Sequence, residues 1–135
     1  MREGKIKLLI TDDQILFAEN LKYVIEATAH DMELAGIAHN GLEAVKMSRE
    51  LRPDIILMDV RMPEMDGVEA VRIIHYSQPE IKVIMLTTFQ DDEYVHYAMK
   101  YGAVGFLSKN ILTQDLLASV RVVHRGARLF SREAA

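Results

Sequence analysis

Along this chain, short unbroken apolar runs alternate with longer stretches in which apolar residues recur at helical spacing. A short run that is apolar at nearly every position is buried on both faces, as in a parallel sheet covered by helices on each side. The alternation therefore predicts an α/β fold. Ile6 to Thr11 (IKLLIT) reads as the first strand, and a helix beginning near Gln14 follows with Phe17, Leu21, Val24 and Ile25 on one face. Leu34 to Ala38 is the second strand. Asn40-Gly41 then turns the chain into a helix that points Ala44, Val45 and Ser48 inward. Pro53 opens the third strand, Asp54 to Asp59 (DIILMD), and the loop VRMPEMDG leads into a helix with Val71, Ile74 and His75 on one side. Gln78-Pro79 ends that helix. Ile81 to Leu86 (IKVIML) is the fourth strand; Asp91 and Asp92 suit the positive dipole end of the next helix, and Gly102 stops it. Val104 to Leu107 is the fifth strand. Thr113 is the expected N-cap of a last helix with Leu116, Leu117, Val120 and Val123 inward and Gly126 at its end.

No Gly/Ser/Pro-rich linker or low-complexity tract breaks this pattern. The expectation is a single domain over residues 1–126, a flavodoxin-like, doubly wound, five-stranded parallel sheet in the order 2-1-3-4-5. Residues 127–135 (ARLFSREAA) are too few to fold further and read as the start of a linker or a truncated C-terminal end. At 135 residues and 50% hydrophobic content, the chain can bury one core. The absence of cysteine excludes disulfides and thiolate metal sites, so any metal is held by oxygen or histidine, and the five histidines lack metal-ligand spacing. A net charge of −4 argues against a surface that reads nucleic-acid backbone, which puts any DNA contact outside these residues. The opening MREGKIKLLI is too short for a signal-peptide core or a membrane span, so a cytoplasmic protein with no membrane association is expected.

The chemistry lies at the strand ends. Asp12 and Asp13 follow the first strand, Asp59 ends the third, Thr87 lies just past the fourth and Lys109 just past the fifth. In a doubly wound parallel sheet all these ends share one edge, and ligands bind there where the strand order reverses. Two carboxylates 4 Å apart repel by about 4 kcal/mol at an effective dielectric of ~20. Lys109 offsets part of that repulsion, and a hard, oxygen-seeking divalent cation, Mg2+, offsets the rest. A carboxylate so placed can attack phosphorus and form an acyl phosphate, whose oxygens the Lys109 ammonium and the Thr87 hydroxyl can hold. Singly, each residue has a plainer reading. An aspartate at a strand-to-helix junction is usually a cap, and a lone lysine a solvated charge; the joint placement favours chemistry.

These residues and their contexts resemble the response regulator receiver (CheY-like) family from Lys5 to about Arg125. DVRMPEMDGVEA, VIMLTTFQDDEYV and GAVGFLSKN are most similar to the NarL/LuxR-type subfamily. The resemblance implies Asp12 and Asp13 as the acidic metal pair and Asp59 as the phosphoacceptor. It also implies the Arg61 backbone carbonyl as a further Mg2+ ligand, Lys109 as the phosphate-binding lysine, and Thr87 and Phe106 as switch residues. The implied partners are a sensor histidine kinase, a second copy on phosphorylation, and DNA through a missing C-terminal helix-turn-helix domain. Two positions depart from the common pattern: Asn110 follows Lys109 where many receivers have proline, and Thr88 stands where a smaller residue is frequent. A stand-alone phosphorelay receiver is the nearest alternative. An aspartate-nucleophile phosphohydrolase would need a second acid two residues after Asp59, and Arg61 is there. Tyr94, Tyr97 and Tyr101 share one helix, either as a partner surface or as ordinary packing.

Overall fold

The computed structural model describes residues 4–88 and 91–130. Strands and helices alternate as β1 (Ile6–Thr11), α1 (Ile15–Thr28), β2 (Met32–Ala38), α2 (Gly41–Leu51), β3 (Ile55–Asp59) and α3 (Gly67–Ser77). They continue as β4 (Lys82–Thr87), α4 (Asp92–Lys100), β5 (Gly105–Ser108), α5 (Thr113–His124) and β6 (Leu129–Phe130). All neighbouring strands pair in parallel, in the order β2-β1-β3-β4-β5-β6. The expected 2-1-3-4-5 arrangement of the first five strands is present.

The unbroken apolar runs divide between two cores because successive strand residues face opposite sides of the sheet. Leu8, Ile10, Ile55, Leu57, Ile84 and Leu86 face α1 and α5, meeting Leu21, Ile25, Leu116 and Val120. Leu9, Ile56, Met58, Val83 and Met85 face the other way, toward Ala44, Val71, Ile74 and Ala98. Both faces are sealed, so the polar groups on the sheet's C-terminal edge are left as the natural place for a site.

Several local expectations shift. After α5 the chain turns back to the sheet. Gly126 N donates to the Val123 carbonyl and Ala127 N to that of Val122, which reverses the chain onto the open edge of β5 as a two-residue sixth strand. Residues 131–135 lie outside the described residues. β2 starts at Met32 because Met32 and Glu33 pair with Ile6 and Lys7, and a register shift between Leu8 and Leu9 accommodates Ala35. Thr113 is the first residue of α5, and Leu112 holds the N-cap position without a side-chain bond. His75 is exposed, not turned to the core with Val71 and Ile74. Its ring packs on Gly102, where an added Cβ would come within 2.3 Å, and Gly102 itself has a φ of +122°.

The start of α2 carries reciprocal capping: Asn40 Oδ1 accepts from Glu43 N at 2.9 Å, and Glu43 Oε1 accepts from His39 N at 2.8 Å. Asn40→Ala is expected to lower unfolding stability by about 1 kcal/mol in urea titrations, with an unchanged m-value.

Candidate functional site

The β1–β3 register sets Thr11 opposite Met58, so the next residues, Asp12 and Asp59, emerge side by side at the sheet edge. Asp12 is fully buried, Asp59 is 8% exposed, and Asp13 is open to solvent. One carboxylate oxygen from each of the three lies within 4.8 Å of the others. Lys109 reaches in from the end of β5. Its Nζ is 2.8 Å from Asp12 Oδ2 and 3.6 Å from Asp59 Oδ2, donates to Gln14 Oε1 at 2.5 Å, and sits 4.7 Å above the centre of the Phe17 ring. The Asp12–Lys109 contact is ionic rather than an aligned hydrogen bond, because Asp12 Oδ2 has no hydrogen-bond partner among the described residues. Asp12 Oδ1 accepts from Gln14 N, and Asp59 Oδ1 accepts from Val60 N at 2.9 Å. Asp59 Oδ2 is therefore the oxygen turned toward Lys109.

Burial, followed by the negative charge of Asp12, pushes the Asp59 carboxyl up to about 7, against the opposing pull of Lys109. One ammonium does not balance the cluster. Three convergent carboxylates, including a buried oxygen without an aligned donor, fit a small divalent cation with an oxygen preference. Asp12, Asp13 and Asp59 are the side chains that could hold it.

Strand and loop geometry present Asp59 in a defined way. α3 begins directly beneath the end of β3: Gly67 N donates to the Val60 carbonyl at 2.7 Å, and a Cβ on Gly67 would lie 2.0 Å from the Asp59 carbonyl oxygen. Only a residue without a side chain allows that approach. Asp66 caps α3 by accepting from Glu69 N.

The remaining expected residues are placed less uniformly. Thr87 ends β4 and is 8% exposed, and its hydroxyl makes a long 3.4 Å bond to the Leu107 carbonyl on β5. Its neighbour Thr88 lines the cleft of about 250 Å³ that also contains Asp59, Arg61 and Lys109. Phe106 is half-buried against the α2, α3 and α4 side of the core. After Lys109 the chain turns without proline: Asn110 N donates to Ser108 Oγ and Ile111 N to the Ser108 carbonyl.

Four further side chains meet the site. Gln14 and Phe17 hold Lys109 from α1; Asp91 and the Arg61 guanidinium meet across the cleft mouth, with Nε 3.1 Å from Oδ1. Contacts across 95 residues, such as Gln14 with Lys109, leave no local pattern.

The pattern of the response regulator receiver domain matches residues 8–121. The chain belongs to the response regulator receiver family. This receiver is 39% identical over 130 residues to the transcriptional regulatory protein YxjL of Bacillus subtilis, a match covering 96% of the chain and 59% of the relative. It is 38% identical to the response regulator protein VraR of Staphylococcus aureus, covering 95% of the chain and 61% of that protein. In structure it is similar to a LuxR-family two-component response regulator from Aurantimonas, with a TM-score of 0.86, 25% identity, and coverage of 96% of this chain and 91% of that one. A LuxR-family DNA-binding response regulator from Staphylococcus aureus gives 0.82 at 28% identity, covering 88% and 98%. The receiver thus spans about three fifths of the length of these curated relatives. It is the receiver domain of a two-component response regulator, and no helix among the described residues is long and apolar enough to cross a membrane.

Two outcomes follow from the geometry. Because the folded value near 7 lies above the reference 3.8, Asp59 favours the fold below pH ~4, and that contribution is lost as the pH rises through 7. Without metal, Asp59→Asn is expected to be more stable than the parent at pH 8 by on the order of 2–4 kcal/mol, and nearly equal to it at pH 4. Chemical denaturation at the two pH values measures the difference. Gly67→Ala is expected to cost at least about 2 kcal/mol in the same assay, since backbone meets the new methyl.

Proposed function

We propose that Asp59 is the phosphoacceptor of this receiver, taking a phosphoryl group from a phosphohistidine of a sensor kinase. The supporting observation is the convergence of Asp12, Asp13, Asp59 and Lys109 at the strand-order reversal. Asp59 Oδ1 is held by Val60 N, which leaves Oδ2 to attack phosphorus in line with the departing imidazole nitrogen. The new P–O bond replaces the P–N bond, and the imidazole leaves with a proton. Lys109 Nζ, 3.6 Å from Oδ2, is positioned to take up one phosphoryl oxygen. Mg2+ held by Asp12, Asp13, Asp59 and the Arg61 carbonyl would neutralise charge on the transferring group. Metal binding would also offset the burial and the Asp12 charge that together raise the Asp59 carboxyl.

Phosphorylation then acts as a switch. The Thr87 hydroxyl exchanges its long bond to the Leu107 carbonyl for a phosphoryl oxygen, and Phe106, one residue before Leu107, repacks against the helical side. The proposed consequence is an altered α4–β5–α5 surface that supports dimerisation and controls an output domain. The length of the curated relatives, among them the transcriptional regulatory protein YxjL, favours a C-terminal helix-turn-helix output over a stand-alone phosphorelay role. We assign the receiver to the cytoplasm and to switching rather than turnover. The residue two beyond Asp59 is Arg61, whose guanidinium is too weak an acid to protonate a leaving group as a phosphohydrolase acid must.

Intact-mass measurement after acetyl phosphate and Mg2+ tests this. One phosphoryl mass is expected on the parent chain, none on Asp59→Ala, and none on the parent in excess chelator. Retention of the added mass by Asp59→Ala would remove Asp59 from the role.

A further inference from the structure

Arg61 and Asp91 form a contact that the acceptor chemistry above does not use. Asp91 is 3% exposed, immediately precedes α4, and does not cap that helix with its side chain. Its Oδ2 instead accepts backward, from Thr88 N at 2.9 Å and Thr88 Oγ1 at 3.1 Å. Its Oδ1 lies 3.1 Å from Arg61 Nε but receives no aligned hydrogen bond among the described residues, so the pair is held mainly by charge. The Arg61 side chain is 59% exposed, and its guanidinium carbon lies 4.9 Å from the centre of the Tyr94 ring on α4. Arg61, Thr88 and Asp91 line the same cleft as Asp59 and Lys109.

A phosphoryl group on Asp59 would carry roughly −1.5 to −2 charges on three oxygens in this cleft, in place of the single charge of the carboxylate it masks. Lys109 is already engaged by Asp12 and Gln14. Among the described residues the other lysine or arginine lining the cleft is Arg61, whose fork of donors matches phosphoryl oxygens and whose contact with Asp91 is poorly aligned. Its exposure lets the side chain swing with little unpacking.

We infer that Arg61 is a phosphoryl-sensing residue, parked on Asp91 in the unphosphorylated receiver and transferred to the phosphoryl oxygens when Asp59 is modified. The inference rests on Asp59 being the acceptor. Transfer removes the cation from Asp91 and leaves a buried carboxylate supported, among the described residues, by Thr88, an arrangement that is costly at 3% exposure. Thr88, whose amide and hydroxyl Asp91 accepts, and the first turn of α4 then shift with Asp91. Because Thr88 adjoins Thr87, the same release frees the strand end that must move for the Thr87 hydroxyl to turn. The phosphoryl group and Asp91 thus compete for one guanidinium, and by linkage whatever weakens Arg61–Asp91 strengthens phosphoryl engagement.

Beryllofluoride with Mg2+, a tetrahedral phosphoryl mimic, provides the test on the 135-residue chain, with amide NMR shifts as readout. In the parent, the adduct is expected to shift the amides of Thr87, Thr88, Asp92 and Glu93. Arg61→Ala is expected to bind the mimic roughly tenfold more weakly, about the weight of one charge-assisted hydrogen bond. At saturation it should keep the Thr87 shift while losing those of Asp92 and Glu93, with partial recovery in Arg61→Lys. Asp91→Asn, which keeps an acceptor for Thr88, is expected to bind the mimic several-fold more tightly and to show part of the Asp92 and Glu93 shift beforehand. Parent-like affinity and α4 shifts in Arg61→Ala, or weaker binding by a folded Asp91→Asn, would overturn the inference while leaving Asp59 as acceptor. No adduct and no phosphoryl mass on the parent would overturn both readings.

Discussion

The repulsion between Asp12 and Asp59 is the constraint around which the site is organised. Parallel pairing of β1 with β3 leaves these carboxylates no freedom to separate, because Thr11 and Met58 are already opposite one another in the sheet. Apolar burial on both sheet faces holds that register against the electrostatic cost. Burial first and the Asp12 charge second raise the Asp59 carboxyl, and the Lys109 ammonium opposes that rise without cancelling it. A site of this kind has standing affinity for positive charge, which is what the proposed metal binding and phosphoryl transfer would draw upon.

The surroundings separate rigid parts from movable ones. Asp12, Asp59 and the Gly67 approach are fixed by strands and by a backbone contact too close for any side chain. Lys109 is restrained from three directions, by Asp12, Gln14 and the Phe17 ring. On the other side of the cleft the connections are looser: a 3.4 Å hydroxyl bond at Thr87, a poorly aligned ion pair at Arg61 and a half-buried ring at Phe106. Charge introduced at Asp59 meets a stiff wall on one side and a compliant one on the other. The compliant wall carries β4, α4 and β5.

The edge beyond β5 belongs to the same half of the molecule. β6 pairs Leu129 with Gly105 and Phe130 with Phe106, so the chain leaves α5 along the strand that bears the aromatic position. Arg128 Nη2 contacts the Ala103 carbonyl in the same region.

The fold class, the order of elements and the identity of the acidic cluster were legible in the sequence. Each depends on local periodicity or on residues at the ends of recognisable strands: IKLLIT before Asp12-Asp13, DIILMD ending in Asp59, GFLS before Lys109. Receiver membership was legible for the same reason, since the diagnostic residues sit inside contiguous segments. Tertiary structure alone decided which groups touch. Gln14 with Lys109, Arg61 with Asp91 and His75 with Gly102 are meetings of helix and loop residues brought together by packing, and periodicity carries no record of them. The same holds for β6, a strand too short to have a period, formed because a helix ending at His124 returns the chain to an open sheet edge.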